Sequence, residues 1–338
     1  MRRTARLTAV LSASLLVGGL AACGSGDDEP AAAGTAPGSS SAAFPVTVDH
    51  IWGSTTIEEA PERVVALGVT DSDPILALGV VPVAVQPFSF YAETGVGPWA
   101  EEYLDGAELT VLDPTAEVSV EEVAALDPDL IVGISAGFDE TVYEQLSQVA
   151  PTLVRPAGTA AYGVGRDDAT RMIAQALGKE AEGEELIETA DAAFDDAVAA
   201  NPQFAGATAA VLLPYSGVYG AYLPADARGQ VMDQLGLSVP EGILAEDTGE
   251  SFYVELSSER LDLADGDALV VLTDEASAPV VEADAVLQGL PVVTAGGLVL
   301  PDADLRGAMS YNTVLSAPFA VEQLTPLLVQ ALAATSAA

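Results

Sequence analysis

Short apolar runs alternate with polar, helix-compatible stretches along most of this chain. Residues 64–69 are apolar, 71–78 can form a helix closed by Gly79, and 80–85 are apolar again, which predicts strand, helix, strand. Runs without polar alternation suit parallel strands covered on both faces. The grammar returns at 119–134: Ser119 can cap a helix with Glu122 reaching back to it, Asp127-Pro128 ends it, and 130–134 reads as a strand. Residues 143–149 predict an amphipathic helix before Pro151, and 47–57 a hairpin turning at Gly53-Ser54.

Helical periodicity then runs over 167–200. Its last part, 181–200, has no Pro and no Gly beyond Gly183, so about 18 of its residues predict a rod near 27 Å at 1.5 Å rise per residue. Strand-like runs resume at 209–213, 231–235, 269–272 and 292–293. The economical reading is α/β, with an N-terminal lobe at 44–180, a connecting helix at 181–200 and a C-terminal lobe at 201–338. An internal correspondence supports it. Ser119, Glu121, Asp127, Asp129, Ile131 and Val132 match Ser257, Glu259, Asp265, Asp267, Leu269 and Val270 at a constant offset of 138 positions. Each copy reads as a capped helix, an acidic turn and a buried strand, with a glutamate in the first helical turn, where the helix dipole favours an anion.

The beginning of the chain follows a different pattern. Arg2, Arg3 and Arg6 precede an apolar stretch at 7–22, and Leu20-Ala21-Ala22 leads into Cys23, the single cysteine. The stretch is short for a bilayer span, which takes about 20 apolar residues. It resembles a bacterial lipoprotein signal, which implies removal of 1–22 and lipidation of Cys23. Residues 23–43 hold mostly Gly, Ser, Ala, Thr, Pro and acids and read as a disordered tether. The expected location is extracytoplasmic, with membrane contact through the lipid anchor only.

Charge and chemistry narrow the function. The formal net charge is −40, from 51 Asp plus Glu against 11 Lys plus Arg, a surface that repels phosphate backbones and excludes nucleic acid as a partner. One cysteine and one histidine leave no disulfide framework, no thiolate cluster and no Ser-His pair in a hydrolase setting. No enzyme activity and no cofactor are expected. A metal-ion binding lipoprotein would want about three histidines or a His/Asp cluster.

Several segments together carry a resemblance: PERVVALG and DPILALGVVPVAV near residues 61–85, SVEEVAALDPDLIVGIS at 119–135, YEQLSQVAPTL, IAQALGKEAEGEELI and SSERLDLADGDALVVLT at 257–273. Over about 44–332 the chain resembles the iron-siderophore and cobalamin binding lipoproteins of ABC importers. That resemblance implies two Rossmann-like lobes with parallel-rich sheets, joined by one rigid helix, and a ligand cleft between them. It implies a monomer that captures a ferric siderophore, whose iron stays with the chelator, and that docks on an ABC permease through Glu121 and Glu259. Cobalamin or haem is the alternative ligand, and a surface lipoprotein outside transport the alternative role.

Ligands of such sheets lie beyond the carboxyl ends of the strands, so the loops there are where contacts are sought. Arginine forks can donate to chelate oxygens while aromatic faces cover the skeleton. On that basis Arg166, Arg228, Arg306, Tyr91, Trp99, Tyr215 and Tyr222 are the expected ligand contacts. Many relatives carry a tryptophan before the arginine matching Arg166; here it is Gly165, and Tyr162 could supply the aromatic wall. Tyr103 and Tyr143 are expected in the core and His50 on the surface. Arg155 and Arg171 are expected to pair with acids such as Asp167 and Asp168, and Arg63 to be structural. The overall negative charge mildly favours uncharged or cationic ferric hydroxamates, although salt screens it beyond about 8 Å.

Overall fold

The computed structural model describes residues 44–338. The signal segment 1–22, Cys23 and the tether 23–43 lie outside the described residues. The first lobe is built on a parallel sheet of β3 (Val64–Ala66), β4 (Ala84–Val85), β5 (Thr110–Val111), β6 (Leu130–Gly133) and β7 (Thr152–Val154), in the order β5-β4-β3-β6-β7. The order reverses on either side of β3, which opens a crevice beyond the carboxyl ends of β3 and β6. Apart from edge strand β5, these strands are buried throughout, as their unbroken apolar runs require.

A hairpin, β1 (Val46–His50) with β2 (Gly53–Ile57), lies against the β7 edge. It turns at Ile51-Trp52, two residues earlier than Gly53-Ser54. Ile51 N–H donates to the Arg155 carbonyl and Thr55 Oγ1 to the Thr152 carbonyl. This docking corrects the surface placement of His50, which is only 5% exposed and shares Nε2 with Thr55 at 3.0 Å and with the Tyr143 hydroxyl. Burial lowers its pKa. Arg155 departs from expectation too: it lies over the Trp52 ring and donates to the Thr159 carbonyl, and among the described residues it pairs with no acid. Arg171 pairs chiefly with Glu184, and Asp168 is farther off at 3.8 Å. Tyr103 is exposed at the edge of the lobe and Tyr143 is half-buried.

The connecting helix is Glu180–Ala200, with Gly183 taken into its first turns. The second sheet is mixed, in the order β10-β9-β8-β11-β12: β8 (Ala209–Tyr215), β9 (Val218–Tyr222), β10 (Tyr253–Leu256), β11 (Ala268–Val271) and β12 (Leu298–Val299). β8, β11 and β12 run parallel, whereas β9 pairs antiparallel with both β8 and β10. The β8–β9 connection is the two-residue turn Ser216-Gly217, both at positive φ, the geometry of a tight hairpin. Residues 231–235 and 292–293, expected as strands, are helical, in Ala227–Gln234 and Pro291–Thr294. Val231, Met232 and Leu235 bury one helical face, and Pro291 opens a helical turn.

The repeated unit has one structural meaning in both lobes. Asp129 accepts the backbone N–H groups of Glu62 and Arg63 at the start of β3, and Asp267 accepts that of Thr208 at the start of β8. Each acid thus pins the first strand of its sheet to the strand it precedes. Ser119 caps Val120–Ala125 by accepting from Glu122 N–H at 3.3 Å. Ser257 makes no such bond, and Ser258–Ala264 is a 3-10 turn, so the second copy keeps the acidic turn and strand but not the capped α-helix. Arg63 is structural, donating to the carbonyls of Leu126 and Asp127.

One apolar cluster crosses between the lobes, joining Leu76, Val96 and Trp99 to Phe194 of the connecting helix and to Tyr311, Leu315 and Leu324. At its centre Asp73 Oδ2 accepts from Trp99 Nε1 at 2.7 Å and from Thr313 Oγ1 of the second lobe. Its other oxygen is buried without a partner among the described residues. Burial pushes the Asp73 carboxyl up to about 6 from an ordinary 3.8. Between these values the folded state holds a proton that the unfolded chain releases, so stability falls as pH rises through that window. A shift of that size corresponds to about 3 kcal/mol. Asp73→Asn should therefore flatten the loss of stability between pH 4 and pH 7, read by denaturant unfolding at several pH values. Parallel wild-type and variant curves would refute the assignment.

Candidate interlobe binding cleft

The cleft sits where the two sheets direct their loops toward each other and has a volume of about 170 Å³. From the first lobe it takes Thr70 and Pro74 after β3, Phe88 after β4, and Tyr162 to Arg166 after β7. The second lobe contributes Asp226 and Arg228 at the start of Ala227–Gln234, Phe252, and the segment from Ser310 to Thr313. Tyr162 is held at φ +60 and is 60% exposed, standing at the mouth as an aromatic wall. No atom lies within 4 Å of where a Gly165 side chain would begin, and the aromatic groups on that side are Tyr162 and Phe252, which approaches Gly163.

Arg166 opens the helix Arg166–Ala176 and is almost fully enclosed. Its Nε donates to Asp167 at 2.8 Å, Nη2 pairs with Asp191 on the connecting helix, and Nη1 reaches Gln234 of the second lobe. It is thus a strut among three elements as well as cleft lining. Arg228 lies 4.1 Å over the Tyr222 ring and gives Nη1 to both oxygens of Asp226 at 3.0 Å. Its Nε donates to Ser310. Burial raises the Asp226 pKa, and the Arg228 charge works against that rise.

The remaining expected contacts are placed elsewhere. Tyr222 backs Arg228 and does not itself line the cavity. Arg306 donates Nη1 to the Thr273 carbonyl at 2.9 Å and approaches Phe90, which stacks on the lining residue Phe88. Tyr91 and Trp99 belong to the interlobe seam: Trp99 is 7% exposed and turned to Asp73, and the Tyr91 hydroxyl is buried against Gly307 without a hydrogen-bond partner. They pack edge-on with Tyr311 because large aromatic faces are needed to join two lobes. Tyr215 lines a separate hollow of about 300 Å³ with Tyr219 and Asp284, and donates to Glu255 at 2.9 Å. Asp226, Ser310 and Phe252 were not singled out from the sequence. An aspartate directly before a helix is a capping residue, and Asp226 accepts from Arg228 N–H; a strand at 231–235 would leave it no helix to cap.

Two α/β lobes, a single long connecting helix and a shared seam frame a lined cleft of the kind that encloses a small molecule. The chain belongs to the periplasmic binding protein family, which it matches over residues 64–305. It is similar to the putative ABC transporter substrate-binding lipoprotein YhfQ of Bacillus subtilis (strain 168), with 27% identity over 237 residues, 68% of this chain and 70% of that protein. The probable siderophore-binding lipoprotein YfiY of the same organism is 32% identical over 200 residues, 58% of each chain. Among solved structures, a periplasmic solute binding protein from Mycobacterium smegmatis str. MC2 155 is 34% identical with a TM-score of 0.76, covering 85% of this chain and 99% of that one. PiaA of Streptococcus pneumoniae TIGR4, solved in complex with ferrichrome, is 25% identical with a TM-score of 0.72, covering 86% and 99%.

Proposed function

We propose that the protein captures a ferric siderophore outside the cytoplasm and delivers it to an ABC permease, held at the membrane by lipidated Cys23. The observation that carries this reading is the cleft itself: Arg228, whose Nη2 has no acceptor among the described residues, lines it together with aromatic surface from Phe88, Tyr162 and Tyr311. That combination suits an iron chelate whose oxygens accept hydrogen bonds and whose skeleton is apolar. The ferrichrome complex of PiaA and the siderophore-binding description of YfiY support the same ligand class. In this reading the chelator, not a set of side chains, carries the iron. Glu121 and Glu259, the proposed docking pair, are both exposed, and neither has an ion-pair partner among the described residues.

Calorimetric titration with ferrichrome, ferric citrate, haem and cobalamin tests the ligand class. Binding of at least one ferric chelate at about 1 µM or tighter is expected. Binding of haem or cobalamin alone, or of none of the four, would overturn the reading. For the anchor, Cys23→Ala should leave ligand affinity unchanged and lower uptake into cells at least about tenfold, because lipidation raises the effective concentration of receptor at the permease. Equal uptake by anchored and unanchored forms would remove the anchor from the mechanism.

A further inference from the structure

Neither cleft arginine faces the cavity as a free cation. The Arg166 side chain is 3% exposed and its donors go to Asp167, Asp191 and Gln234. Arg228 is matched by Asp226, leaving Nη2 as the guanidinium nitrogen without a protein hydrogen bond among the described residues. Two positive charges are therefore met by three carboxylates, and no lysine lines the cavity. Of the three, Asp226 alone belongs to the lining, with its side chain 12% exposed.

The charge of the whole chain is screened beyond about 8 Å, so these local pairs set the field a bound ligand meets. A polyanionic chelate would bring its charge against Asp226 in a partly dehydrated cavity, and could reach Arg228 fully only by displacing that partner. Like charges brought together without compensation cost affinity. A ferric trihydroxamate avoids the conflict, because three hydroxamate anions cancel the charge of the iron. It still offers oxygens to the free Arg228 nitrogen.

We propose that the cleft selects an uncharged or singly cationic ferric chelate of the trihydroxamate class, and that Asp226 is the residue that turns anionic chelates away. This rests on the ferric-siderophore reading above and adds its charge class. Asp226 also caps the helix Ala227–Gln234, and both Asn and Ser can cap a helix without the charge. The test is titration of wild type, Asp226→Asn and Asp226→Ser with ferrichrome (uncharged), ferrioxamine B (cationic), and ferric citrate and ferric enterobactin (anionic). Wild type should bind the first two at least about tenfold more tightly than the anionic pair. Either folded variant should raise the anionic-to-uncharged affinity ratio by about tenfold or more, equivalent to about 1.4 kcal/mol. An anionic chelate bound most tightly by wild type would overturn the charge class while leaving siderophore capture standing. An unchanged ratio in the folded variants would overturn the role of Asp226. No binding of any ferric chelate would overturn both readings. The wild-type order of affinity decides the charge class even if neither variant folds.

Discussion

Reversing both Glu121 and Glu259 to arginine should reduce uptake to background, about 100-fold or more, while ligand affinity stays within about twofold of wild type. The two glutamates occupy equivalent places in the repeated unit, one on each lobe, in the first turn of Val120–Ala125 and of Ser258–Ala264. Neither lines the cleft, which is why affinity should survive. Like charges placed opposite one another at a docking surface cost several kcal/mol and suppress productive encounter. Two such sites, one per lobe, would also lose the proposed alignment of both lobes on a permease. The control is the same charge change elsewhere, at the exposed Glu108 and Glu188. Transport assays in cells, paired with calorimetry on the purified proteins, separate the possibilities. Uptake that survives the Glu121/Glu259 reversal, or that falls equally in the control, would eliminate the docking role.

Gly229→Ala should lower the melting temperature by roughly 6–12 °C and weaken ligand binding at least about tenfold. A methyl group there would collide with the Leu223 carbonyl oxygen, lying 2.7 Å from its carbon and 3.0 Å from Pro224 Cα. Both obstacles are backbone, so neither can swing aside as a flexible side chain would. Overpacking of this kind costs about 1–3 kcal/mol, and a backbone obstacle puts the cost at the upper end. A protein of this size loses roughly 2–4 °C per kcal/mol. The only relief is to move the start of Ala227–Gln234 away from the end of β9, and that start carries Asp226 and Arg228 into the cleft. Gly165→Ala is the matched control. It also precedes a helix at the cleft, but at an ordinary φ of −67 and with no atom within 4 Å of the new carbon. It should melt within about 2 °C of wild type. Equal melting temperatures for the two variants would show that the approach of helix to strand is not a constraint.

The sequence laid out the α/β architecture because burial on both faces of a parallel strand demands an unbroken apolar run, which is visible locally. β3 and β6 fall within the predicted runs, β8 runs two residues past its predicted end, β11 begins one residue before its predicted start, and so does the helix Glu180–Ala200. The repeat at Asp129 and Asp267 was visible as spacing, although its role in pinning β3 and β8 was not. Local pattern failed where an apolar run was too short to carry a period. Residues 231–235 and 292–293 fit a strand or one helical turn equally well, and packing settled them as helix. The β8–β9 hairpin had a local signal, Ser216-Gly217, which marks a tight turn. The tyrosines around it, Tyr215 and Tyr222, fit a ligand-contacting loop equally well, so the local sequence does not decide between the two.

The cleft was less legible, and for a different reason. Arg166 and Arg228 could be nominated as rare cations in an acidic chain, but whether a cation is free depends on partners the local sequence does not bring together. Arg166 finds Asp191 twenty-five positions away, and Asp73 joins Thr313 across 240 positions. Trp99, Tyr91 and Tyr215 have the residue type of a ligand contact, yet the seam and the outer hollow hold them. Sequence by itself determined the α/β lobes, the connecting helix and the acidic surface, because burial periodicity and charge are properties of short segments. Which arginines are already paired, which aromatics join the lobes and which line the cavity was decided by the tertiary structure. Pairing and enclosure are relations between distant segments, and they exist only once the two lobes have closed on a shared core.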